Sequence, residues 1–342
     1  MTSETIGNPL IEPLCYLAMG ALTAGTYVTD KIPLHLNICV FSLGIIIIGS
    51  YRSMREMIAE IKKVQIQGKQ SDSIETVSNK DALQFPLFAG GMLLGLYLLI
   101  KFFGKDSVNY FVLVYIALGS STGIKALLTS FTGTALSGLD EGKLINIKNK
   151  LIDLEVSALD LICLVLSIIS VAIYFVSKSW VYNNLIAIVF CIHALQFIFL
   201  GNFKTGSLLL SLLFFYDIFF VFGTDVMVTV AKSIDAPIKL QFPRDLTTEP
   251  PQYSILGLGD IVIPGIFVSM CLRFDFLKTI NLNYFNDLIE RERSGKADNN
   301  STIKYLIKQA NDAPKSYFIA VIIGYLIAII TTVVIMIIFE HG

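Results

Sequence analysis

Eight stretches of this chain are apolar over nearly the length needed to cross a bilayer, and nothing else in the sequence constrains the fold as strongly. They run over about 34–51, 85–103, 108–130, 158–176, 182–200, 206–223, 253–272 and 317–339. A crossing helix needs about 20 predominantly apolar residues. In hydrocarbon only helices and closed barrels satisfy their own backbone polar groups. A ninth stretch, 13–29, contains Thr23, Thr26, Thr29 and two glycines, and fits a span, an interfacial segment or a packed half-helix. The expected fold class is therefore all-α: a polytopic transmembrane helix bundle of eight clear spans plus one weak N-terminal apolar segment. It forms a single membrane-embedded domain, with N-terminal helices over 34–200, a helix pair over 206–272, a polar loop over 273–316 and a last span. Only 15% of residues are charged, against about 25% in soluble domains.

Basic residues orient the bundle. If the chain enters the cytoplasm after Tyr51, the inner loops 52–84, 131–157, 201–205 and 273–316 hold 18 Lys+Arg, and the outer loops 104–107, 177–181 and 224–252 hold 5. Positive charge accumulates on the cytoplasmic side, so loop 273–316 is expected to be cytosolic and loop 224–252 to face the opposite side. Loop 273–316, with Ser294-Gly295-Lys296-Ala297-Asp298 near its centre, reads as a solvated flexible tether. Asn299 and Asn300 open overlapping glycosylation sequons, which a cytosolic loop leaves unmodified. The N-terminal residues MTSETIGNPLIEPLC lack the basic region of a cleavable signal peptide, so insertion is expected to rely on the first true span.

Several function classes drop out. A net charge of −1, with the basic residues distributed by loop, gives no footing for nucleic acid. Cys15, Cys39, Cys163, Cys191 and Cys271 all lie in apolar stretches without metal-ligand spacing, and read as small core hydrophobes. None of His35, His193 and His341 has a carboxylate or cysteine at ligand spacing, so no metal and no cofactor is expected. Phosphate loops, serine nucleophile elbows and HExxH sequences are absent as well.

Two carboxylates remain. Asp217 interrupts LLFFYDIFFVFG, and Asp260 interrupts ILGLGDIVIPGIFVSM. A central Asp costs a membrane helix about 2.5–3.5 kcal/mol on insertion scales. On the spans above, Asp217 lies six residues from the outer end of its helix and Asp260 seven from the outer end of its own, which places both roughly 9–10 Å deep at 1.5 Å per residue. Gly257 and Gly259 permit close helix approach and weaken the helix locally. Pro264 has no amide hydrogen for the carbonyl of residue 260. Tyr216 sets a phenol beside Asp217, able to donate a hydrogen bond or line a pocket. Asp225 and Asp275 flank their spans and read as interfacial.

Two carboxylates in a low-dielectric site share one proton, the arrangement that activates water in aspartic proteases. The same pair also suits a proton- or cation-coupled transporter, and a single intramembrane Asp suits a structural hydrogen bond. Spacing alone does not separate these readings, although the halves show none of the symmetry common in transporters.

Tyr216-Asp217 on one span and Gly257-Leu258-Gly259-Asp260 on the next resemble the signal peptide peptidases, the intramembrane aspartyl proteases related to presenilin. The resemblance extends through FFYDIFFVFGTDVMVTVAKSIDAPIKLQFP (214–243), LGLGDIVIPGIFVSMCLRFD (256–275), DALQFPLFAGGMLLGLYLLIKFF (81–103) and WVYNNLIAIVFCIHALQFI (180–198), and covers roughly residues 33–340. It implies that Asp217 and Asp260 are the catalytic pair, with Tyr216, Gly257, Leu258, Gly259 and Pro264 supporting them or lining the substrate site. It implies residence in the endoplasmic reticulum membrane with the N-terminus outside and loop 224–252 lumenal. The implied substrates are remnant signal peptides and other type II-oriented transmembrane helices; the implied partners are the lipid bilayer and a homo-oligomer or quality-control complex. The family has a further span opening with Gln-Pro-Ala-Leu, and here no proline follows Pro314. Either these residues are part of a longer chain or the site lacks one wall, which leaves a catalytically impaired scaffold that binds membrane spans as the alternative. Helix-weakening residues near the cut are expected in substrates, because a regular helix shields its peptide bonds. The stretch 224–252, with Val226–Val230 and then Ala236-Pro237-Ile238-Lys239-Leu240, is either extended backbone for an unwound substrate or a plain connection.

Overall fold

The computed structural model describes residues 10–28, 33–61, 64, 75–132, 143–149, 152–224, 226–234, 236–245, 252–294, 296 and 301–338. Twelve α-helices carry the described chain. They are α1 (Ile11–Val28), α2 (Leu34–Ile61), α3 (Asn79–Phe103), α4 (Lys105–Thr132), α5 (Ala158–Ser177), α6 (Trp180–Phe197), α7 (Phe203–Asp217), α8 (Val226–Ser233), α9 (Gly259–Leu277), α10 (Leu282–Arg293), α11 (Ser301–Asp312) and α12 (Ser316–Ile338). Six short strands join them: β1 (Glu75–Val77), β2 (Lys143–Asn149), β3 (Ile152–Ser157), β4 (Ile198–Leu200), β5 (Lys239–Asp245) and β6 (Gln252–Gly257). Asp225, His341 and both sequon asparagines lie outside the described residues.

Seven helical stretches are long and apolar enough to cross a membrane: Leu34–Ile61, Asn79–Phe103, Lys105–Lys125, Ala158–Ser177, Trp180–Phe197, Phe203–Phe220 and Ser316–Ile335. This is the polytopic all-α architecture expected. The eighth expected span, 253–272, differs. Its first residues form β6, and the helix begins only at Gly259, carrying Asp260, Arg273 and Asp275. Most of α9 beyond its first turn is buried among neighbouring helices. A helix enclosed by protein does not need an apolar exterior.

The chain divides into two compact units. One contains Gln84–His193 and Ser211–Gln241. Its core joins Leu113, Ile116 and Ala117 of α4 to Val171 and Tyr174 of α5, Ile186 of α6, and Val230, Ile234 and Ala236. The Ser167 hydroxyl donates to the Ala117 carbonyl at 2.5 Å and meets Ser120. Gly123 leaves room for Val189 of α6, whose Cγ1 would lie 2.5 Å from any added Cβ. Ser157 and Asp160 form a capping box at the start of α5, and Asp160 pairs with Lys125 at 2.8 Å.

The second unit contains the described residues from Leu10 to Leu83, Ala194–Leu210 and those from Phe242 onward. Here α2 packs against α1, α9 and α12. Ser50 of α2 and Ser269 of α9 share a hydrogen bond at 3.0 Å. One turn further along α9, Arg273 donates to Ser53 at 2.7 Å and lies 3.9 Å over the Phe199 ring. The weak segment 13–29 is the helix α1. Glu12 pairs with Arg52 at 3.7 Å and with Arg55, while Met19 packs on Gly44. Helix α1 therefore runs antiparallel along α2, with Glu12 at the basic end of that helix.

Two more expectations change. Loop 273–316 is no tether over its described residues: α10 and α11 occupy it, with Phe285, Leu288, Ile289, Leu306 and Ala310 buried. Its polar composition reflects one solvent-facing side of each helix. Asp275 is not interfacial but 3% exposed, and its carboxylate accepts the Phe318 N–H at the start of α12.

Candidate active site

Strands β1 and β4 pair in parallel, Val77 opposite Leu200, and each leads within two residues into a helix, α3 or α7. The Thr205 hydroxyl donates to Asn79 at 2.5 Å and to Asn202 at 3.0 Å, and Asn202 also accepts the Thr205 N–H. This ties the start of α7 to the start of α3. Helix α7 then runs to Asp217, its last α-helical residue.

After Asp217 the chain widens into a π-helical turn, Ile218–Phe222. Such turns displace the usual i→i−4 pairing and recur at functional sites. Asp217 itself is exposed on its unit. The Tyr216 ring stacks on Phe220 at 4.6 Å, and both face Gly90 of α3, where an added Cβ would approach Phe220 to 3.1 Å. The aromatic body of Tyr216 is thus a packing element beside the carboxylate.

Asp260 sits differently from the sequence expectation. It is the second residue of α9 and not seven residues inside a span, because Gln252–Gly257 is a strand. The chain passes from β6 through Leu258 into the helix, and Leu258 accepts the N–H groups of Ile261 at 3.2 Å and Val262 at 2.9 Å. A carboxylate in the first turn also lies at the positive end of the helix dipole. Gly257 is required by this turn: a Cβ there would stand 3.2 Å from Oδ2 of Asp260. Gly259 is not a close-packing position, since a Cβ there meets nothing within 4 Å among the described residues. Pro264 lies inside α9, and the Asp260 carbonyl that it cannot serve accepts the hydroxyl of Tyr325 from α12 at 3.2 Å. Sequence reasoning missed Tyr325, which is separated from Asp260 by 65 positions and carries no local signal.

The preceding segment is ordered by amides of α6. Asn183 donates to the Lys239 carbonyl at 2.6 Å, and Asn184 donates to the Gln241 carbonyl and accepts its N–H, both at 2.8 Å. Residues 226–230, one candidate for extended backbone, are helical in α8, whereas 239–245 are a strand. The structure thus gathers Gly257, Leu258, Gly259, Asp260 and Pro264 in one turn, and Tyr216 and Asp217 at the end of α7. The first group belongs to one unit and the second to the other. Among the described residues no three His, Cys, Asp or Glu side chains could hold a metal ion together.

A family model described as signal peptide peptidase matches residues 69–342. Human "Signal peptide peptidase" is 42% identical over 231 residues, which cover 63% of this chain and 60% of the human protein. "Intramembrane protease 2" of Caenorhabditis elegans is 45% identical over 146 residues, 40% of this chain and 31% of that protein. A "Probable intramembrane protease" of Schizosaccharomyces pombe is 32% identical over 220 residues, 64% of this chain and 65% of that protein. The match thus spans less than two thirds of the length of each. No solved structure matches the chain. With the family model covering most of its length, the chain belongs to the signal peptide peptidase family.

Proposed function

We propose that this protein is an intramembrane aspartic endopeptidase whose catalytic pair is Asp217 and Asp260. One observation carries the reading beyond family membership. Each aspartate stands where regular helix is broken, Asp217 at the passage from α-helix to π-turn and Asp260 at the passage from strand to helix. Irregular backbone at membrane depth is tolerated where it is buried in protein or lines a water-filled cavity, and hydrolysis in a bilayer needs such a cavity.

In the proposed reaction the ionised carboxylate takes a proton from water as the water oxygen attacks the substrate carbonyl carbon. The protonated carboxylate gives its proton to the carbonyl oxygen, and a neutral gem-diol forms. Proton return to the amide nitrogen then breaks the C–N bond, leaving a carboxylic acid and an amine. The roles belong to the pair and not to either aspartate permanently.

Remnant signal peptides and other type II-oriented transmembrane helices in the endoplasmic reticulum are the substrate class that fits. Loop 224–252 is then lumenal and loop 273–316 cytosolic, as the distribution of basic residues favours. Strand β6 leads directly into the Gly-Leu-Gly-Asp turn, so an unwound substrate segment paired along it is delivered to Asp260. The test is incubation of the protein, with its natural downstream sequence, with a signal-peptide-like helix in liposomes. Mass spectrometry is expected to find cuts inside the helix that vanish in Asp217→Ala and Asp260→Ala. Cuts that survive either substitution contradict the assignment, and binding without any cut points to a scaffold.

A further inference from the structure

The Asp260 carbonyl occupies an unusual chemical position. In a regular helix it would accept the N–H of residue 264, and that residue is Pro264. In hydrocarbon no water stands in for a missing donor. The donor that the structure supplies is Tyr325 of α12, whose hydroxyl lies 3.2 Å from that oxygen.

The choice of donor is specific within α12. Thr331 and Thr332 turn their hydroxyls back onto carbonyls of their own helix, at 2.8 and 3.0 Å. Tyr325 instead reaches across to another helix. The helix that presents it is fixed at its start: the Phe318 N–H is held by Asp275, and Tyr317 packs edge-on against Phe274 at 5.3 Å. Both anchoring contacts are made to α9, the helix that carries Asp260. The phenol is therefore held in place by the element it serves.

We infer that Tyr325 is a positioning residue for catalysis: its hydroxyl holds the carbonyl that Pro264 leaves unserved, and so fixes the first turn of α9 and the direction of the Asp260 carboxyl. This rests on the proposal that Asp260 is catalytic. Pro264 then keeps the turn open to a tyrosine from outside the helix, and Tyr325 restores the definition that the proline removes. The reacting carboxyl is joined to this carbonyl through its own Cα, so rotation of the peptide plane rotates the carboxyl with it.

The test is a double-mutant cycle on the protein with its natural downstream sequence, reconstituted in liposomes and read by cleavage of a helical peptide. Tyr325→Phe removes the donor and keeps the ring. It is expected to lower kcat about tenfold, the upper end of what one net hydrogen bond contributes, with KM and Tm unchanged. Pro264→Ala returns an N–H to the Asp260 carbonyl. In that background Tyr325→Phe is expected to change kcat less than about twofold, because the hydroxyl has become redundant. Wild-type kcat in Tyr325→Phe overturns the inference, as does an equal loss in both backgrounds, which would mark Tyr325 as a packing residue. If Pro264→Ala alone abolishes cleavage, Tyr325→Phe decides: a kcat loss at unchanged Tm supports the inference, and a loss that follows Tm contradicts it. Asp260→Ala, run alongside, separates the two levels. Cleavage surviving in that variant sinks the catalytic assignment, whereas an inactive Asp260→Ala beside an unaffected Tyr325→Phe sinks only the role of Tyr325.

Discussion

The carboxylate of Asp275, 3% exposed near the end of α9, accepts the backbone N–H of Phe318 at 3.0 Å. That N–H belongs to the first turn of α12, where a helix has no partner of its own to offer. Residues 43 positions apart thus join two helices at one point. Asp275→Ala is expected to lower stability by about 1 kcal/mol, the usual worth of a helix cap, while Asp275→Asn retains an acceptor and loses less. Thermal unfolding in detergent micelles measures both, and an unchanged Tm in Asp275→Ala would show that the cap contributes nothing.

The two glycines of the Gly-Leu-Gly-Asp turn separate cleanly. A methyl group at Gly257 would sit 3.2 Å from the Asp260 carboxylate, whereas one at Gly259 has open space. Gly257→Ala is expected to cut cleavage by about tenfold or more, since misplacement of a reacting group by about an ångström costs up to about a hundredfold. Gly259→Ala is expected to cost less. Equal losses in a peptide-cleavage assay would remove the steric explanation.

Arg273 is buried, donates to Ser53 at 2.7 Å and covers the Phe199 ring at 3.9 Å. Lysine keeps the charge but loses the flat face and the forked donors. Arg273→Lys is therefore expected to destabilise the protein by about 1–3 kcal/mol, the cost of a buried polar contact broken on one side. Its Tm relative to the parent checks this.

Because α1 lies antiparallel along α2, Glu12 shares the end of the helix pair that carries Arg52 and Arg55. With that end cytosolic, a cysteine placed at Leu10 in a cysteine-free background is expected to react with an impermeant maleimide from the cytosolic side. This departs from the N-terminus-outside arrangement that the resemblance implies. Labelling from the lumenal side would contradict the antiparallel pairing or the orientation of α2.

Much of this was legible in the sequence, for identifiable reasons. A bilayer sets one length scale, so apolar runs of about 20 residues translate directly into helices. The aspartates stood out because charge inside such runs is costly. What stayed hidden was backbone that changes type within an apolar run. Gln252–Gly257 reads as membrane helix because a short apolar stretch carries no decisive periodicity, yet it is a strand, which moves Asp260 from mid-helix to a first turn. The π-turn after Asp217 has no composition of its own. The helices in 273–316 did carry a signal: Asn281 caps α10, and Leu282, Phe285 and Ile289 recur at helical spacing, but the polarity of the loop masked it. Tyr325 was invisible because the need it answers is created by Pro264, 61 positions away.

The account stands on Asp217 and Asp260 forming one pair, and cross-linking tests that most directly. Cysteines replace both aspartates in a cysteine-free background, and a short bis-thiol reagent is applied to the protein in native membranes, with Asp217→Cys alone and Asp260→Cys alone as controls. The account predicts rapid bridging of the double variant, read as a linked peptide by mass spectrometry. No bridge, while cysteines at Phe214 and Ile263 link readily, would place the two carboxylates apart and contradict a shared catalytic site.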